Sequence, residues 1–428
     1  MWKWNVTLRR FSLAGAAALY CIYPAAAETN VKLVLQTYAD IALASYEDSH
    51  RAAQGLKAAV DTLLGAPTQE SLEAARGAWI TARVPYQQSE VLRFGNAIVD
   101  DWEGKVNAWP LDEGLIDYVA AEYGTESEEN PLYAANVIAN RRIKIAGKRV
   151  DASKITKDLI GKTLQEAGGV EANVATGYHA IEFLLWGQDT NGTGPGKGNR
   201  PATDFDVKAC TGGNCDRRGE YLRTATNLLI DDLAWIVKQW GEKGEARKKV
   251  TANEKNGLVA IFTGLGSLSY GELAGERMKL GLLIHDPEEE HDCFSDNTHN
   301  SHFYDLVGMR NVYFGTYKRV DGTVIAGPSP SDLVKEKAPQ ADTELRARLD
   351  ASLAAFTALK DRAETVEAYD QMIGEGNKQG NAVVQAAIDA LLDQTKSIER
   401  AVAALKLKAI QFEGSESLDD PSKVMSGK

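Results

Sequence analysis

His179 and Glu182 stand three residues apart in "GYHAIEFLLWGQD" (177–189), among Ile181, Phe183, Leu184, Leu185 and Trp186. Burying an imidazole or a carboxylate without a partner is costly, so the run must satisfy both. Positions i and i+3 of a helix share a face, with Cβ atoms roughly 5–6 Å apart. The two side chains can therefore meet one cation, and their nitrogen and oxygen donors suit iron, zinc or manganese. The same spacing also serves a His–Glu hydrogen bond that ties two helices together. Taken alone, it favours that bond.

Other acids stand in similar company. "ARVPYQQSE" carries Arg83, Tyr86 and Glu90, the last two four apart on one helical face. "YGELAGERM" carries Glu272 and Glu276, with Arg277 able to pair with either. Each set reads as a solvated helix face or, among Tyr, Leu, Ala and Gly, as the setting of functional acids. "EEEHDCFSDNTHNSHFYDL" (288–306) gathers His291, Asp292, Asp296, His299, His302 and Asp305. It reads first as a polar loop in which Ser295 or Asp296 caps the next helix, and second as another metal site. A zinc-protease H-E-x-x-H site needs two histidines on one helical face. Here Phe183 occupies the place where the inverted H-x-x-E-H pattern needs the second one.

The elements that must position these residues read as helices, with little strand alternation. Apolar stripes mark 31–64, 153–167, 171–187, 217–243, 252–283, 329–362 and 379–411, with a short helix near "LDEGLIDYVAAEY". "TQESLEAARGAWITARVPYQQSEVLRFG" opens with a Thr68 to Ser71 cap, bends at Pro85 and stops at Gly95. The expected fold is all-α, two helical-bundle domains with a cleft between them. "SEVLRFG" echoes "GERMKLG", and "HAIE" echoes "HFYD" at 302–305, as an internal duplication would. The expected divisions are a signal peptide (1–27), an N-terminal bundle (28–187), a Gly-rich linker (188–216), a C-terminal bundle (217–413) and a disordered tail (414–428).

A net charge of -12 and pI near 5.2 exclude the basic stripe that nucleic-acid binding needs. Lys3, Arg9 and Arg10, an apolar run and Ala25–Ala27 form an export signal. The remainder shows no transmembrane stretch, which places the mature protein in the periplasm, free or held at either membrane by a partner. Export permits a disulfide between Cys210 and Cys215, leaving Cys293 as a buried or a reactive thiol.

"GYHAIEFLLWGQD" resembles the G-x-H-x-x-E signature of the imelysin family. "CTGGNCDRRGEYL", "GELAGERM" and "EEHDCFSDNTH" resemble its iron-regulated-protein branch. The resemblance implies two helical bundles with the motif (Gly177, His179, Glu182) near the cleft between them. It implies a role in iron acquisition, with iron or an iron chelate and a membrane uptake component as partners, and for some members a metallopeptidase activity. Counted in, it turns the balance toward a metal site, iron favoured and zinc the alternative. His179 and Glu182 are then ligands and Glu90 the third candidate, with Arg83, Tyr86, Glu272 and Glu276 lining the cleft. No general base for proteolysis is identified. A binding protein with a purely structural His–Glu pair is the remaining reading.

Overall fold

The computed structural model describes residues 1–2, 29–407 and 410–426; beyond its first two residues, the expected signal peptide lies outside them. Among the described residues the fold is all-α apart from two short hairpins. Its helices are α1 (Val31–Gly65), α2 (Gln69–Gln87), α3 (Ala97–Glu103), α4 (Gly177–Trp186), α5 (Cys215–Trp240), α6 (Glu245–Thr251) and α7 (Glu254–Ser267). A π-helical stretch, Leu268–Lys279, continues α7 into α8 (Leu280–Ile284). Then come α9 (Thr298–Phe314), α10 (Pro330–Lys337), α11 (Pro339–Thr365), α12 (Tyr369–Ile373), α13 (Lys378–Ala404), α14 (Glu416–Asp419) and α15 (Pro421–Ser426). The hairpins are β1 (Arg142–Ile145) with β2 (Lys148–Asp151), and β3 (Thr316–Lys318) with β4 (Val324–Ala326), both antiparallel.

Thr68 and Ser71 form the expected capping box at the start of α2. Pro85 lies near its other end, and the helix stops at Gln87 rather than running on to Gly95. Ser89 donates to the Tyr86 carbonyl at 2.6 Å, and Glu90–Leu92 continue as a separate 3-10 turn. Tyr86 and Glu90 consequently do not share one helical face. The N-cap of α9 is Asn297, neither Ser295 nor Asp296.

Two sets of four long segments pack around a continuous apolar core. In one, α1 lies against α2 and α5, with α4 between α2 and α5. In the other, α13 and α11 pair, with the α7–π stretch along α13 and α9 along α11. The sets meet where α2 crosses α9. There a Cβ on Gly308 would lie 2.4 Å from the Gln88 carbonyl oxygen, so only glycine admits the approach. Helix α5 thus packs with the first set, which corrects the expected boundary at 217. The expected linker is also built in: buried Arg200 holds Asp117 and Asp204 at 2.8 and 3.0 Å, and Arg218 donates to Asp117 at 2.6 Å.

Asp48, buried in α1, receives Tyr317 Oη at 3.1 Å and Arg319 Nη2 at 2.8 Å, anchoring the second hairpin. The expected disorder of the tail is corrected too, since Ser415 and Ser417 are buried and Ser417 Oγ donates to the Gly275 carbonyl at 3.0 Å. Glu254–Ile284 is long and apolar enough to cross a membrane, yet 78% of its apolar window is buried within the protein. That burial is the pattern of a core helix.

Candidate metal centre

Gly177 opens α4 at φ +79°, and a Cβ there would sit 2.4 Å from the Val106 carbonyl oxygen. The same oxygen accepts from Tyr178 N at 2.7 Å, and the Tyr178 carbonyl accepts from Trp79 Nε1 at 3.0 Å. Both a left-handed φ and a backbone in contact demand glycine at this position. Every residue of α4 is buried, so His179 and Glu182 are held without solvent.

His179 Nδ1 lies 3.1 Å from Glu182 Oε2, and Ser295 N and Oγ donate to Glu182 Oε1 at 3.0 and 2.7 Å. Both Glu182 oxygens are thereby engaged. His179 Nε2 is buried with no hydrogen-bond partner. The loop before α9 brings His291 and Asp292 to the same place. The His179 and His291 rings are 4.7 Å apart, and Asp292 Oδ1 lies 3.9 Å from His179 Nδ1 and 3.3 Å from His291 Nδ1. One donor atom from each of His179, His291 and Asp292 falls within 4.8 Å of the others.

Asp292 is fixed by Arg83 Nη2 at 2.7 Å, Asn297 Nδ2 at 2.9 Å and Ser301 Oγ at 2.5 Å. The Arg83 guanidinium is enclosed by the rings of Trp79, Tyr86 and Tyr178 at 5.1–5.7 Å and donates to Asn107 Oδ1 at 2.5 Å.

The electrostatics follow from that burial. Burial, reinforced by Arg83, pushes the His179 pKa down to about 3, and burial with Arg277 nearby lowers His291. Both imidazoles are neutral, the form that ligates metal. Burial opposes the charge on Asp292, but Arg83 and His291 outweigh it and hold the carboxyl well below its usual range. Burial and the Asp292 charge push Glu182 well upward, toward the protonated state. A cation entering this group would restore the Glu182 carboxylate, and a carboxylate on Nδ1–H leaves Nε2 as the donor.

The other expected site residues gather elsewhere. Glu90 Oε2 receives Arg277 Nη2 at 2.7 Å, and Glu272 Oε1 takes the same group at 2.6 Å. Asp305 Oδ2 lies 3.2 Å from Arg277 Nη1, and Arg93 reaches Glu272 at 3.3 Å. Glu90 thus belongs to an arginine-centred network rather than to the His179 group. Tyr86 is 1% exposed and contributes to the Arg83 enclosure, and Glu276 is half-buried on the π stretch. Cys210 and Cys215 form a disulfide, and Cys293 is a half-buried free thiol. His291 and Asp292 complete the centre although the sequence pointed only to a crowd of imidazoles and acids around them. That crowding was the available signal.

A cavity of about 300 Å³ lies alongside, lined among others by Trp109, Asp112, Glu113, Glu288 and Cys293. Trp109 separates it from the centre, with its ring 5.6 Å from His291 and its Nε1 donating to the Glu290 carbonyl at 3.1 Å. Three carboxyl groups at this wall favour cations over anions.

Comparison with known proteins agrees with the fold. The family model described as Imelysin (Peptidase M75) matches residues 42–398. Iron-regulated protein A of Synechococcus elongatus is 31% identical over 128 residues, which is 29% of this chain and 36% of that protein. The crystal structure of an iron-regulated protein A precursor from Parabacteroides distasonis superposes with a TM-score of 0.63 at 18% identity, covering 89% of this chain and 97% of the other. An imelysin-like protein from Psychrobacter arcticum gives 0.54 at 14% identity, covering 90% and 99%.

Proposed function

We propose that this protein, which belongs to the imelysin family, binds a transition-metal ion at His179, His291 and Asp292 and serves iron uptake or its regulation after export to the periplasm. The observation that carries this reading is His179 itself. Its Nδ1 is engaged by Glu182, its Nε2 is buried without a partner, and one of its ring nitrogens lies within 4.8 Å of donor atoms of both His291 and Asp292. An orphaned buried nitrogen is costly in a purely structural His–Glu pair, and an ion removes that cost.

In this reading Glu182 stands behind His179 and orients it, and Ser295 holds Glu182. Arg83 neutralises part of the Asp292 charge and fixes the carboxylate. Two imidazoles with one carboxylate suit ferrous iron or zinc. The partial relative named for iron regulation gives iron the preference. His179, Glu182, His291 and Asp292 are each no more than 1% exposed, which fits the holding of an ion better than the binding of a polypeptide chain for cleavage.

The test is equilibrium binding of ferrous, ferric and zinc ions to the mature protein and to His179→Ala and Asp292→Asn, with insulin cleavage followed in parallel. Stoichiometric binding lost in both variants, without cleavage, is the expected result. Unchanged binding in both folded variants would sink the metal centre and leave a structural His–Glu pair. Metal-dependent cleavage lost in both would replace the uptake reading with a peptidase.

A further inference from the structure

Glu290, the residue before His291, groups with acids other than those of the centre just described. One carboxylate oxygen from each of Glu290, Asp296 and Asp370 lies within 4.8 Å of the others. These acids come from the loop before α9 and from α12, so tertiary packing alone brings them together. Glu290 and Asp370 are each 1% exposed. Glu290 Oε1, Asp296 Oδ1 and both Asp370 oxygens are buried with no partner in hydrogen-bonding geometry. The amides of Asp370 and Gln371 act on the Asp370 carboxylate, and the Thr298 hydroxyl acts on Glu290. Lys197 is the positive charge that acts on Asp296, while Asp189 adds a negative field on both Asp296 and Asp370.

Three carboxylates cannot stay ionised at such distances in a poorly solvated place unless a cation or protons compensate them. The donor set is oxygen only, without imidazole or thiolate, and so selects a hard cation. Three acids drawn from a loop and a short helix impose no octahedral arrangement, which suits an ion that takes oxygen ligands at about 2.3–2.6 Å in flexible geometry. Magnesium is a poorer match, since it demands near-ideal octahedral ligands at about 2.0–2.1 Å.

We propose that Glu290, Asp296 and Asp370 form a second metal site, for a calcium-class divalent cation, that ties α12 to the 290–296 loop. The ion bridges the loop that presents His291 and Asp292, so it is structural and separate from the His179 centre. The two sites differ in donor chemistry and share no ligand.

The test is equilibrium dialysis of the full mature protein against radiolabelled calcium, beside Glu290→Gln, Asp370→Asn and His179→Ala. Calcium-dependent thermal unfolding of each protein, with and without a chelator, accompanies it. One calcium per chain is expected, weakened at least tenfold in Glu290→Gln and Asp370→Asn and unchanged in His179→Ala. The wild-type Tm should rise with calcium, and that rise should disappear in Asp370→Asn. Because Asp370→Asn also relieves charge repulsion, it should be the more stable protein in chelator, so loss of folding cannot imitate loss of binding. Absent binding at millimolar calcium, or equal binding and equal Tm shifts in wild type and Asp370→Asn, overturns the proposal. Loss of iron or zinc binding in His179→Ala with calcium binding intact distinguishes the two sites.

Discussion

Ser295 shows how much one side chain contributes at the scale of the residue. It gives Glu182 two hydrogen bonds, and Glu182 in turn sets the His179 ring. Substitution of outer groups of this kind typically costs 10–100-fold in metal affinity. Ser295→Ala should therefore weaken ferrous or zinc binding by about tenfold, since the Ser295 amide remains, with little change in unfolding; titration beside a urea midpoint checks both. Arg83 acts differently because it balances a buried charge. Arg83→Met leaves Asp292 uncompensated, which should cost about 3–5 kcal/mol of stability in the metal-free protein. Added zinc should recover part of that loss, because the ion replaces the guanidinium beside the carboxylate. A variant as stable as wild type in chelator would contradict this account of Asp292.

At the scale of the element, α4 is a fully buried helix started by a glycine against a neighbouring backbone. Gly177→Ala must move Val106 or change φ at the first turn, and either shifts the face carrying His179. The expected cost is about 2–4 kcal/mol, read as a lower urea midpoint, with metal affinity falling as well. A Gly177→Ala protein with normal stability and affinity would show that the contact can relax. The same helix explains a limit of pattern reading. The pattern located α4, and within 153–167 a helical segment forms at 157–164, mostly as a π-helix, whereas the stretch near "LDEGLIDYVAAEY" is mostly irregular with short 3-10 turns. Its apolar residues are buried by tertiary contacts that helical spacing does not distinguish from a helix face.

At the scale of the whole molecule, the junction of the two helical sets is held by buried charge. Glu103 faces Arg93 at 3.8 Å, with Glu90, Glu272 and Arg277 close enough to act on it. Burial dominates, opposed by Arg93, and raises its pKa from 4.5 to about 7. A carboxyl raised on folding holds its proton in the native state after the unfolded chain has released it. Its contribution is therefore most favourable below pH 4.5 and is lost as pH rises to about 7, beyond which the loss is constant. Glu103→Gln should flatten that dependence, becoming more stable relative to wild type between pH 5 and 8 by on the order of 2–3 kcal/mol. Urea unfolding of both proteins across that range measures the difference. A constant offset would place the raised acid elsewhere.

The sequence by itself determined the all-α class, the capping box of α2, the G-x-H-x-x-E helix and the family, because these depend on local spacing, caps and ordered motifs. Glu182 was legible as the partner of His179, since three residues on one helix fix that contact. Tertiary structure alone decided that His291 and Asp292 face His179 across more than a hundred residues, that Glu90 turns to Arg277, and that α5 packs with α1. The physical reason is the range over which each constraint acts. A helix repeats its geometry every few residues, whereas a carboxylate's partner depends on which distant backbone comes close enough to exclude water.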